Sequence, residues 1–248
     1  MTFRPLGDEH AISEVVFAVH FESLLTPDHF RALDDNRKQW TLLPGRNETR
    51  GFGVSVSIPK GTPKVKGIGP SVIDAVEYYR SRPDGQKEWL MRANANVLAV
   101  NCLAYTRWAS IWERARGHIE KALRALAKPK FVVTGLYLYY IDKFIWEGNL
   151  EDYDARELFQ SEGRFVAPIN FESGALWHCH TGWFTRDGLP ELGRMLNRIS
   201  IDALENQEDH IVQIKTELSL EFDKNFSTVA QLFGRKGQKS PPLIDRKN

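Results

Sequence analysis

The short run His178-Cys179-His180 contains residue types that commonly ligate metals. On a strand, alternate side chains share a face, so the two histidines point one way and the cysteine points the other way. Two imidazoles on one face could hold zinc if another strand supplied a third ligand. The sequence has no spaced partner motif. We therefore expect two half-exposed histidines and no bound metal, and we keep a metal-dependent hydrolase using His178 and His180 as an alternative function.

Asp142 lies in the apolar run LYLYYIDKFIW, where it shares a strand face with Leu138, Tyr140 and Phe144. A carboxyl group among such neighbours has a raised pKa if it is buried, and perturbed acids can mark functional sites. The plainer interpretation is a strand-end carboxylate paired with an arginine or lysine, and the same applies to Asp202 in ISIDAL. We favour the structural interpretation and keep Asp142 as a candidate ligand-binding residue.

The stretch YTRWASIW places Tyr105, Trp108 and Trp112 at spacings of three and four, along one side of a helix. The same stripe continues through Ile111, Ala115, Ile119, Leu123 and Leu126. We interpret the rings as part of a core face that packs on a sheet. In the alternative, Trp108 and Trp112 line a small-molecule or nucleotide pocket between helix and sheet, together with Tyr139 and Tyr140.

Composition excludes several classes of protein. The 248 residues are 42% hydrophobic and 26% charged, as in ordinary globular proteins, and the net charge of +1 gives no overall field for nucleic acid or an anionic membrane. This argues against a nucleic-acid partner without excluding a local basic patch. The sequence has two cysteines and no apolar signal segment, which predicts a cytoplasmic protein. Its longest apolar run is too short to span a bilayer. Phosphate-binding loops and catalytic elbows are absent, so we assign no catalytic residue and no cofactor.

The elements that position these residues follow from hydrophobic periodicity. Alternation in SEVVFAVHFE predicts a strand with one buried side over 13–22, and Pro/Gly content predicts a loop over 59–70 that carries the basic cluster Lys60, Lys64 and Lys66. The other predicted elements are short helix 27–40, strands 51–58, 72–80, 87–93 and 96–103, helix 107–127, and strands 131–146, 175–184 and 194–204. Asn94-Ala95-Asn96 is a predicted tight turn, and Gly135 marks a predicted bulge. Residues 209–225 fit a strand and a helix equally well.

The order of these motifs resembles a sporadically distributed bacterial family of uncharacterised proteins. Its members carry an early Glu-Val-Val strand, a mid-chain Tyr-x-x-Trp that begins a long helix, and a Leu-Arg-Tyr-Ile-Asn strand. The matching residues here are Glu14, Val15, Val16, Tyr105, Trp108, Leu138, Tyr140, Ile141, Ile201 and Asp202. Tyr139 stands where the family favours arginine, and Asp142 stands where it favours asparagine. The resemblance implies a C-terminal helix over 209–225, no particular reaction, and a genetic setting near mobile-element and defence genes.

Together these observations predict an α+β fold. We expect a mostly antiparallel, curved sheet of six to eight strands, one long central helix packed across it, and a second long helix near the C-terminus. We expect a single domain over residues 1–236, with a subdomain boundary near 148–170 as an alternative, and a disordered tail over 237–248. The predicted function is a non-catalytic cytosolic binding protein that acts on a protein partner, in a bacterial defence or toxin–antitoxin setting.

Overall fold

A computed structural model describes residues 2–7, 10–51, 54–57, 64–68, 72–127, 131–185, 193–206 and 209–233. The strands are β1 Thr2–Pro5, β2 Ile12–Phe21, β3 Gly45–Gly51, β4 Val54–Ser57, β5 Lys64–Ile68, β6 Val72–Ser81, β7 Lys87–Asn94, β8 Val97–Cys102, β9 Val133–Glu147, β10 Trp177–Thr185, β11 Gly193–Asn206 and β12 Asp209–Phe226. The helices are α1 Pro27–Asp35, α2 Trp108–Ala125 and α3 Val229–Phe233, with 3-10 turns at Arg37–Gln39, Leu150–Asp152, Ala155–Glu157 and Pro168–Phe171.

One antiparallel sheet of ten strands dominates the molecule. Its order is β10-β11-β12-β9-β2-β8-β7-β6-β3, and β1 pairs with the end of β9 beyond β2. The long strand β9 therefore has β12 along one side and β2 followed by β1 along the other. Strands β4 and β5 form a separate two-stranded sheet.

One face of the sheet carries the core. Alternating residues of β2, such as Val15, Phe17 and Val19, are at most 3% exposed and pack beneath α1 and α2. A second apolar cluster covers β10 to β12 on the same face, where Val166 of the 148–171 segment packs with Trp177. We call the opposite side the open face, because no described helix packs on it.

The predicted fold class is wrong in its helices and in the size of its sheet. The sheet has ten strands instead of six to eight, and α2 does not pack across it. The 18 residues of α2 span about 27 Å at 1.5 Å per residue. The nine strands in the order above extend roughly 38 Å at their usual spacing. A helix of that length covers only one region, which here lies around β8.

The second long helix near the C-terminus is also wrong, because residues 209–226 form β12. This strand pairs with β11 on one side and β9 on the other along most of its length. The neighbouring residues Ile211 and Val212 are both buried, at 8% and 0% exposure. Two successive buried residues point to opposite faces of a strand, so β12 buries apolar groups on both sides of the sheet.

The predicted loop over 59–70 is wrong at β5, where Lys64–Ile68 pairs with β4. The other residues of this predicted loop lie outside the described part of the chain. The same holds for the side chains of the basic cluster Lys60, Lys64 and Lys66, and for the predicted tail 237–248. Among the described residues, no helix is both long enough and apolar enough to cross a membrane.

Candidate functional site

The aromatic residues at the start of α2 pack against each other and against the sheet. The rings of Trp108 and Trp112 are nearly parallel, with centroids 6.3 Å apart, and both lie within 5.6 Å of the Phe17 ring on β2. Trp108 also lies 5.9 Å from Tyr140 on β9. The two tryptophans are partly buried and extend the main core. The helix side of this cluster is therefore filled by neighbouring rings.

The carboxyl group of Asp142 lies close to Tyr140 in this cluster and has no hydrogen bond or ion pair within the described ranges. Burial raises the pKa of its carboxyl group. Burial also raises the pKa of Tyr140 to about 12, with smaller contributions from Tyr105 and Asp142. The lysine or arginine expected beside Asp142 is not there, whereas Asp202 does have Lys215 at 3.9 Å. An acid held without a cation among aromatic rings resists ionisation.

Tyr139 does not join the aromatic cluster, because it points to the open face. Its strand neighbours are Val16 on β2 and Glu217 on β12. Burial, with the charge of Glu217, raises the pKa of Tyr139, and Glu217 is itself paired with Arg198 at 3.3 Å. Of the candidate ligand-binding residues, the structure thus brings together Trp108, Trp112, Tyr140 and Asp142, and places Tyr139 on the other side of the sheet.

The two candidate metal ligands lie side by side on the open face of β10. The ring centroids of His178 and His180 are 5.5 Å apart, and both residues are exposed. No group of three or more histidine, cysteine, aspartate or glutamate residues that could hold a metal occurs in the described ranges. Cys179 points to the other face, where its Sγ donates to the Phe165 carbonyl at 3.4 Å. Burial raises the pKa of the Cys179 thiol, which keeps it protonated.

Strand β10 stands at one end of the sheet order, and no described strand pairs with its outer side. Its sequence WHCHTGWFT contains no lysine, arginine, aspartate or glutamate. Trp183 and Phe184, near its end, are 42% and 61% exposed. The Trp183 ring stacks on Phe165 at 5.5 Å on the core side, while Phe184 lies on the open face beneath the guanidinium of Arg194 at 5.1 Å. We call this strand with its exposed aromatic residues the β10 edge.

Sequence reasoning located this strand but not its position in the sheet. Trp183 and Phe184 were not among the candidate residues, although the lack of charged residues over 175–184 was a readable signal. Position at an edge depends on which strands pair, and a single strand's pattern does not encode that.

Comparison of the chain with protein-family models, with curated proteins and with solved structures finds no match. The resemblance to the bacterial family therefore stays a prediction from the sequence motifs. The structure places several of those motifs side by side. Glu14, Val15 and Val16 pair with Ile141, Tyr140 and Tyr139 in successive register. Trp108 packs on this same pair of strands.

Proposed function

We propose that this chain is a binding protein that docks an extended, uncharged segment of a partner protein along the β10 edge. The observation that carries the proposal is a nine-residue edge strand without a charged side chain and with two exposed aromatic residues. An edge strand offers unpaired backbone N–H and C=O groups, and an extended peptide can add to them as a further strand.

The surroundings of β10 favour an apolar occupant. At one end of the strand, Trp183 and Phe184 expose aromatic surface on both faces of the sheet. At the other end, Leu176 and Leu204 are 55% and 45% exposed. An extended partner would therefore meet apolar side chains at both ends and backbone groups between them, apart from the His178 carbonyl, which already accepts from Asn170 Nδ2 at 3.2 Å. A charged partner segment would lose hydration here without gaining an ion pair from β10.

The test uses a displayed library of random nine-residue peptides, matched to the length of β10 and selected on the full chain. We expect selected peptides to be apolar, to be extended, and to slow amide hydrogen exchange over residues 177–185. The double substitution Trp183→Lys with Phe184→Lys should weaken their binding by at least about tenfold, which is about 1.4 kcal/mol. Lysine at an edge opposes strand addition, because pairing would bury its charge.

The matched control is Leu24→Lys, which places the same charge at an apolar residue that is 68% exposed elsewhere on the molecule. This variant should bind the selected peptides as the wild type does. The proposal is wrong if no peptide is enriched, if the protected amides lie outside β10, or if the double variant binds normally. Sedimentation velocity could instead show that the wild type is a dimer and that the double substitution dissociates it. A second copy of the chain would then occupy the β10 edge, and the proposal of a different partner protein would be wrong.

A further inference from the structure

A cavity of about 260 Å³ opens between β7, the segment that follows β8, and the first turns of α2. It is distant in the sheet order from β10, so it is independent of the proposed docking edge. Its wall is partly apolar and partly polar. The lining residues are Glu88, Trp89, Ala104, Thr106, Ser110, Ile111 and Arg114.

Arg114 forms no ion pair in the described part of the chain, although the charge of Glu88 acts on it. Its Nε and Nη2 atoms are buried and have no hydrogen-bond partner. The guanidinium carbon lies 4.5 Å from the centre of the Trp89 ring, so the charge rests on an aromatic face. Burial, together with the charge of Arg80, lowers the pKa of Arg114. A buried, unpaired guanidinium is costly unless something supplies negative charge.

The carboxylate that lines the cavity is already engaged. Glu88 pairs with Arg80 at 3.1 Å and with Arg82 at 3.8 Å. The neighbouring His118, one turn further along α2, is 3% exposed and also has both ring nitrogens unpartnered. Burial and the nearby charges of Arg114 and Lys121 lower its pKa to about 4. His118 is therefore neutral near pH 7 and supplies no negative charge to Arg114.

Another arginine of this molecule shows what the same two nitrogens bind. Arg46 uses its Nε and Nη2 atoms to donate to the two carboxylate oxygens of Asp34, both at 2.7 Å. Arg114 has the same edge of its guanidinium free of any partner. A carboxylate is the group whose two oxygens match this edge, through two parallel hydrogen bonds.

We propose that the cavity beside Arg114 binds a small organic carboxylate with a short apolar body. The carboxylate pairs with the Arg114 guanidinium when that side chain turns its buried Nε and Nη2 edge toward the cavity. The apolar body then lies against Trp89 and Ile111. The same wall carries the hydroxyls of Thr106 and Ser110, which lie 3.3 Å apart, and that of Ser110 already donates to the Arg107 carbonyl at 2.9 Å. The volume of about 260 Å³ is slightly below the usual range for ligand sites and limits the ligand to about the size of a substituted benzene ring.

Titration calorimetry on the full chain tests this with benzoate, its neutral analogue benzamide, and inorganic phosphate. We expect saturable binding of benzoate and none of benzamide or phosphate. Arg114→Gln should weaken benzoate binding by at least about tenfold. The control Arg124→Gln removes an exposed arginine of the same helix, paired with Glu120 at 3.1 Å, and should change binding by less than about twofold.

Arg114→Gln should melt close to the wild type, because the lost contact with the Trp89 ring is offset by removal of a buried cation that has no ion pair. If that variant does not fold, Ser110→Leu keeps the arginine and fills the exposed side of the cavity, and it should also abolish benzoate binding. The assignment is overturned if benzoate does not bind, if benzamide binds equally well, or if phosphate occupies the site instead. Unchanged benzoate binding in both variants would overturn it as well.

Discussion

The two ends of the sheet order differ in how their edge strands are protected. Strand β3 carries Arg46, Glu48 and Arg50 within seven residues, and all three take part in one ion-pair network. Arg46 also holds Asp34 at the end of α1, and the Tyr78 hydroxyl donates to the same carboxylate at 2.7 Å. Strand β10, at the opposite end, has no charged residue.

This difference supports the assignment of the proposed binding function to the β10 edge and not to β3. A strand added to β3 would have to cover or displace paired charges, which opposes pairing with another chain. A strand added to β10 meets no such obstacle and gains contact with exposed aromatic residues. The β3 network therefore serves the stability of the fold, and the β10 edge is where we place the binding function.

The largest effect that this comparison predicts is on the β3 side. Asp34→Ala leaves the Arg46 guanidinium and the Tyr78 hydroxyl without the carboxylate that accepts from both. The site is largely shielded from water, because the Asp34 and Arg46 side chains are only 27% and 22% exposed. We expect the free energy of unfolding, measured in urea, to fall by about 2–3 kcal/mol. Asp28→Ala is the control, because the Asp28–Arg31 pair is more than 60% exposed. A loss equal in the two variants would mean that the β3 network is not structural.

The same carboxylate predicts a pH dependence. Burial acts to raise the pKa of Asp34, but hydrogen bonds from Arg46 and Tyr78 and the charges of Arg46 and Arg37 outweigh it, so the pKa lies below its ordinary value of 3.8. A pKa lowered by folding contributes stability that is complete above the unfolded value and is lost as pH falls through the folded value.

The stability advantage of the wild type over Asp34→Asn should therefore be constant near neutral pH. It should shrink as the pH drops below about 4. Urea unfolding of both proteins across this range measures it. An advantage that grew on acidification would show that the pKa of Asp34 is raised rather than lowered.

On the β10 side the fold should tolerate charge. Trp183→Lys with Phe184→Lys changes side chains that are 42% and 61% exposed, so the free energy of unfolding should change by less than about 1 kcal/mol. A loss comparable to that of Asp34→Ala would make β10 a structural edge and remove the distinction between the two ends.

The smallest effect is expected at the two histidines of β10. With two neighbouring imidazoles and no group of three potential ligands in the described residues, purified protein should carry no stoichiometric zinc. A chelator should then leave the melting temperature unchanged. If elemental analysis finds one zinc per chain and His178→Ala loses it, the function proposed for the β10 edge would have to be metal binding and not protein docking.

Local signals in the sequence predicted several elements correctly. The alternation over 13–22 corresponds to β2, and the Asn94-Ala95-Asn96 turn joins β7 to β8, with Ala95 at a φ of 45°. Gly135 was predicted to mark a bulge, and the register between β2 and β9 shifts next to it. A Cβ at this position would lie 2.8 Å from the Leu220 carbonyl oxygen, which explains why glycine is needed.

The errors arose where pairing between distant segments decides the structure. Periodicity over residues 209–225 fitted a strand and a helix equally well, and the family resemblance tipped the prediction to a helix. Pairing with β9 and β11 on both sides makes this segment a strand. Pairing likewise set the number of strands and left β10 at an edge. The Asp34–Arg46 pair joins a helix to a strand across 12 residues, and no motif marked it.

The central position of β9 has a consequence for how the chain folds. Strand β2 is synthesised early, but hydrogen bonds such as the one from the Ser13 hydroxyl to the Ile141 carbonyl join residues 128 positions apart. Strand β12 must then reach β9 before the hairpin of β10 and β11 is fixed to the sheet. Such long-range pairing slows folding. During translation the apolar strand β2 has β8 along one edge well before β9 is made, and its other edge stays open to other chains until β9 emerges.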